Sequence, residues 1–153
     1  PRPSRGPQPP PHRRLRARVQ NTRVYFSANP RHVNYPGCGA GRDEISARFY
    51  EGAAAGTVML GEAPRIDEFK RQFDWPDAVI HLPFDSPDIG QILAELNGNP
   101  GRLRAVMREN ARQAALRHDW LYRIQTVFEI MGLAPTEQMQ IRAQRLAEIA
   151  SRV

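Results

Sequence analysis

The residues best suited to chemistry are a glycine-rich run, Pro36-Gly37-Cys38-Gly39-Ala40-Gly41, followed at once by Arg42-Asp43-Glu44-Ile45-Ser46-Ala47-Arg48-Phe49-Tyr50-Glu51. Glycines allow a backbone to approach an anion closely, a helix amino terminus offers unpaired N–H groups, and Arg42 and Arg48 add guanidinium charge. Together these suit a phosphorylated ligand. The run matches neither the nucleotide P-loop, which needs a following Gly-Lys-Ser or Gly-Lys-Thr, nor a dinucleotide fingerprint. A plain surface loop is the competing reading. In the same spirit, Glu51 could serve only as the partner of Arg48, three residues earlier on a helix, and Asp43 and Glu44 only as acidic residues answering a helix dipole.

The remaining reactive side chains form no second constellation. Cys38 is the single cysteine, which excludes an internal disulfide and a multi-cysteine metal site and leads us to expect a reducing, cytoplasmic location. It has no obvious paired base. His12, His32, His81 and His118 show no metal-ligand spacing, so no bound metal and no cofactor are expected. His81 reads as a core or edge residue of a strand. His118 and Asp119 read as anchors for the helix that starts at Trp120, and Trp75 and Trp120 as packing residues.

Those residues must be positioned by a chain of 153 residues, the length of one domain, of which 41% are hydrophobic and 25% charged. The net charge is +6, and Lys70 is the only lysine. Arg2, Arg5, Arg13, Arg14, Arg16 and Arg18 all precede any periodic pattern, so the excess describes a basic leader more than a binding face, and no nucleic-acid partner is expected. No apolar run approaches the ~20 residues of a membrane span and no signal peptide is visible. The first residue is Pro1, which we expect of a piece of a longer protein.

Proline and arginine dominate residues 1 to 14, expected to be a disordered leader or linker. Strands are expected at Arg23 to Ser27, Thr57 to Leu60 and Ala78 to Leu82. Helices are expected from Asp43 or Glu44 to Ala55 with Gly56 as the stop, from Arg65 to Phe73, from Asp88 to Leu96 behind a Ser86-Pro87 start, from Gly101 to Arg117 behind Asn99-Pro100, and from Trp120 to Met131. A polar helix opens at Thr136. Strands alternating with helices predict an α/β, Rossmann-like three-layer domain with a mainly parallel sheet over residues 15 to 133, followed by C-terminal helices, with 134 to 153 as a C-terminal helix or tail. In such sheets ligands bind beyond the carboxyl ends of the strands, where the segment from Asn29 to Arg42 emerges.

The pattern Ser46-x-Arg48-Phe49-x-Glu51-x-x-Ala54-x-Gly56, followed by Val58-Met59-Leu60, a helix, Phe73, Ala78-Val79-Ile80, a helix ending before Asn99-Pro100, and Arg117-His118-Asp119-Trp120-Leu121-Tyr122-Arg123, resembles the carboxyl-terminal half of group-one glycosyltransferases, most closely the spore-maturation type. The resemblance covers roughly residues 20 to 133. It implies a GT-B enzyme in which this half grips a nucleotide diphosphate sugar while an amino-terminal half holds the acceptor, so that the chain alone is an inactive fragment of a hexosyltransferase-like enzyme. By position, Glu51 matches the glutamate that hydrogen-bonds the ribose hydroxyls. The E-x7-E pair of many retaining members is met here by Asp43, with Glu44 beside it, a departure that leaves retention or inversion open. Arg42 and Arg48 would neutralise the diphosphate, and Gly39, Gly41 and Ser46 complete the expected donor site, with no metal. The alternative is a non-catalytic Rossmann-like module that binds a nucleotide or phosphosugar.

Overall fold

The structure is a computed structural model that describes the main chain of Val24–Ser27 and residues 45–83 and 86–153. Its elements run β1 (Val24–Ser27), α1 (Ala47–Ala54), β2 (Val58–Gly61), α2 (Asp67–Gln72), β3 (Ile80–His81), α3 (Ile89–Gly98), α4 (Pro100–Arg117), α5 (Trp120–Ile130) and α6 (Glu137–Arg152). The strands form one small parallel sheet in the order β1-β2-β3, with Ser27 opposite Gly61 and Gly61 opposite His81. The fold is thus mixed α/β and mostly helical.

Every residue of β2 is buried. Side chains alternate across a strand, so its two faces need separate covers. Met59 joins Phe49 and Ala53 of α1, Phe69 of α2, and Phe73, Trp75 and Ala78. Val58 and Leu60 point the other way, to Leu96 of α3 and Leu103 and Val106 of α4. A third cluster, Ala115, Leu121, Met139, Leu146 and Ala150, binds α5 and α6 to the end of α4.

The small residues of the Glu51 to Gly56 segment have separate physical reasons. A Cβ at Gly52 would lie 2.7 Å from Met59 Sδ, so any other residue here would have to push the buried Met59 side chain aside for α1 to stay this close to β2. Gly56 ends the helix at φ 62°, the left-handed region. Its N–H donates to Ala53 O and that of Thr57 to Gly52 O, which together make a Schellman termination.

Several boundaries differ from the sequence expectation. α1 begins after Ser46, whose extended backbone and Oγ, accepting from Arg48 N–H at 3.3 Å, make it the N-cap. No acidic residue therefore occupies its first turn. Asp43 and Glu44 lie outside the described residues, as do the loop from Asn29 to Arg42 and the leader. β3 pairs over two residues only. A turn closed by Ala78 N–H to Trp75 O holds the chain before it, with Asp77 at φ 57°, and Pro83, lacking an N–H, follows Leu82. α3 starts one residue later than Ser86-Pro87 suggests, because Asp88 takes the cap position and the Ser86 hydroxyl accepts from Asp88 N–H. Trp120 is not a packing residue. It is exposed at the first turn of α5, where Leu121 takes the inward position.

Candidate functional site

The short link Ala55 to Thr57 joins the end of α1 to the start of β2, which places the carboxyl end of α1 at the amino edge of the sheet. The eight residues of α1 span about 12 Å at 1.5 Å per residue, so Ser46 lies toward the opposite edge, where Ser27, Gly61 and His81 end their strands side by side. His81 is exposed on that edge.

Phe49, Gly52 and Ala53 face inward and are buried. The 3.6-residue period then turns Arg48 and Glu51 outward, their side chains 46% and 45% exposed and 3.6 Å apart. Such an exposed pair contributes about 0.2–1 kcal/mol, little enough for a ligand to displace. Of the expected donor-site residues, Ser46, Arg48 and Glu51 are thus gathered on one helix end and its outer face. Gly39, Gly41, Arg42, Asp43 and Glu44 lie outside the described residues.

The segment Arg117 to Arg123 forms a different structure, a joint between helices. Arg117 donates from Nη2 to Arg71 O at 2.7 Å and pairs with Asp74. His118 Nε2 lies 2.9 Å from Gln72 O. Asp119 caps α5 by accepting from Leu121 N–H at 3.0 Å and pairs with Arg142 of α6 at 2.6 Å. Arg123 donates to His118 O at 3.2 Å and lies over the rings of Tyr50 and Trp120. The carbonyls at the ends of α2 and α4 find their donors here. A cleft of about 210 Å³ opens at this joint, lined by Arg71, Arg117, His118, Tyr122, Arg123 and Thr126 among others. The arginines are engaged with carbonyls and carboxylates, and two helix carboxyl ends oppose their charge, so the cleft is a seam of the fold.

His118 is the most unusual titratable group of the seam. A carbonyl can only accept, so Nε2 carries the proton, and Nδ1 is buried without a partner among the described residues. Burial holds its pKa below the ordinary histidine value against the opposing pull of Gln72 O, and the nearby Arg117 and Arg123 charges lower it further. A histidine with a depressed folded pKa stabilises the fold fully above its unfolded pKa of about 6.5, and that contribution fades as pH falls toward the folded value. Urea unfolding at pH 7.5 and 5.5 is therefore expected to show lower stability at pH 5.5. His118→Gln should flatten the difference, and an unchanged slope in that variant would acquit His118.

Sequence reasoning missed one feature and left a second, the place of His81 in its strand, open between core and edge. Asn110, fully buried in α4, accepts from Trp75 Nε1 at 2.7 Å and donates to Thr57 O at 2.7 Å. Nothing in the polar and apolar pattern of α4 distinguishes it. His81 stands at the carboxyl edge of the sheet because it is the last residue of β3, paired with Gly61 at the end of β2, and only the pairing register reveals this. Among the described residues, no three or more His, Cys, Asp or Glu side chains gather as metal ligands, and no helix is long and apolar enough to cross a membrane.

A small parallel sheet with both faces of its middle strand covered, and a polar helix face beside its carboxyl edge, is an architecture that accommodates a sugar-transfer domain. The model of the glycosyl transferase-like family matches residues 8–129, and the chain belongs to that family. Membership assigns glycosyl transfer in general and implies a sugar donor as substrate. No curated protein and no solved structure matches the chain.

Proposed function

We propose that the chain is the donor-binding, carboxyl-terminal half of a GT-B glycosyltransferase of the spore-maturation type, acting on a nucleotide diphosphate sugar without a metal and completed by an amino-terminal acceptor-binding half. In this reading the domain is a three-layer Rossmann-like unit working in the cytoplasm. Glu51 accepts hydrogen bonds from the ribose hydroxyls. Arg48 and Arg42 stabilise the charge that builds on the diphosphate as the sugar leaves, with the amides of Gly39 and Gly41 and the capped helix end at Ser46 beside them. Asp43 or Glu44 contacts the sugar. The observation that supports this most is the outward presentation of Arg48 and Glu51 on a helix whose opposite face is locked against β2.

Titration with nucleoside diphosphates and nucleotide sugars tests it. Hydrogen bonds to a charged group contribute about 1.5–3 kcal/mol, so Glu51→Gln should weaken binding about 10- to 100-fold. The same change removes only an exposed ion pair and should leave the melting temperature nearly unchanged. Binding unaffected by Glu51→Gln would remove this residue, and the proposed ribose contact, from the site.

A further inference from the structure

α5 carries two apolar faces. Leu121 and Phe128 pack into the cluster with Met139 and Leu146 of α6. Trp120, Ile124, Val127 and Met131 lie on another face, 74%, 45%, 50% and 64% exposed, flanked by the exposed Ile130 and Leu133. Their spacing of four, three and four residues is that of a seam made to interlock with another helix.

We infer that this stripe is the self-association surface of the protein, pairing with the α5 stripe of a second copy, antiparallel, about a two-fold axis. The spacing is symmetric about the point between Gln125 and Thr126. Turned end for end, Ile124 therefore meets the partner's Val127 and Trp120 meets the partner's Met131, a favourable sulfur–aromatic contact. The stripe itself is uncharged, and the flanking Arg123 is already bound to His118 O and stacked near Trp120, so no like charges face each other. Exposed apolar patches of several hundred Å² mark interaction sites, and two such patches facing each other bury on the order of 1,000 Å², the lower limit of a specific interface. The dimer is accordingly weak, in the micromolar range or above. A membrane surface fits less well, because α5 holds one cation, Arg123, and one anion, Glu129, where membrane-lying helices carry a cationic face.

Sedimentation equilibrium of the chain from about 1 μM to about 1 mM should show a monomer–dimer equilibrium, and Val127→Glu should raise its dissociation constant at least tenfold with an unchanged melting temperature. In a Cys38→Ser background, a mixture of Ile124→Cys and Val127→Cys chains should form disulfide-linked dimers faster than either alone. A monomer at the highest concentration, a dimer that Val127→Glu leaves intact, or stripe-dependent binding to anionic vesicles without self-association would each overturn the inference.

Discussion

Replacing Asn110 by leucine is expected to lower the unfolding free energy by about 3–5 kcal/mol, although the two side chains share one branched shape, because each buried polar group left without its partner costs about 1–3 kcal/mol. The groups left behind are the indole N–H of Trp75 and the carbonyl of Thr57, each 2.7 Å from an amide atom of Asn110. At 2–4 °C per kcal/mol for a chain of this size, the melting temperature should fall by about 10 °C. Adding Trp75→Phe should recover part of the loss, since it deletes the stranded donor, and the double-mutant cycle should return a coupling of about 0.5–3 kcal/mol. A loss below about 1 kcal/mol for the single variant would mean that water replaces the amide and that Asn110 does not hold α4 to the sheet.

Phe49→Ala is expected to cost about 3–5 kcal/mol, the range for emptying a buried aromatic site. Its ring lies edge-on to Phe69 at 4.8 Å and to Phe73 at 5.9 Å between centroids, with no exposure to solvent. Phe49→Leu should recover a substantial part, because much of the volume returns. The contrast with Glu51→Gln separates scaffold from site. Phe49 and Glu51 share α1 but face opposite ways, so under the proposed function Phe49→Ala should lower stability and donor affinity together, while Glu51→Gln should lower affinity alone. Urea titrations of both variants, paired with binding at a temperature where each is folded, read the difference. A Phe49→Ala protein of nearly unchanged stability would show that α1 is not docked through this ring.

The family resemblance acquires a physical basis in two places. The Glu51 to Gly56 segment is small because Gly52 touches Met59 and Gly56 must turn left-handed. The Arg117 to Arg123 segment is polar because four of its side chains serve helix ends and interhelical pairs: Arg117, His118, Asp119 and Arg123. Both are constraints of architecture, so a sequence pattern that points to sugar transfer is here also a record of packing.

Read alone, the chain determined most of its local starts and stops, the start of α1 behind Ser46 in place of Asp43 or Glu44 being an exception. Ser46, Asn99, Asp119 and Thr136 each accept from an N–H two or three residues ahead, so a cap and its helix lie within one short window. The buried character of β2 and the inward face of α1 followed from composition and period in the same way. What tertiary structure decided were partners far apart in sequence: Asn110 with Thr57 and Trp75, His118 with Gln72, Asp119 with Arg142. It also decided that Trp120 faces outward. Periodicity shows that a helix has an apolar stripe, and α5 has two; which of them finds a cover depends on where α4 and α6 run, and the free energy of burial carries no directional signature along the chain.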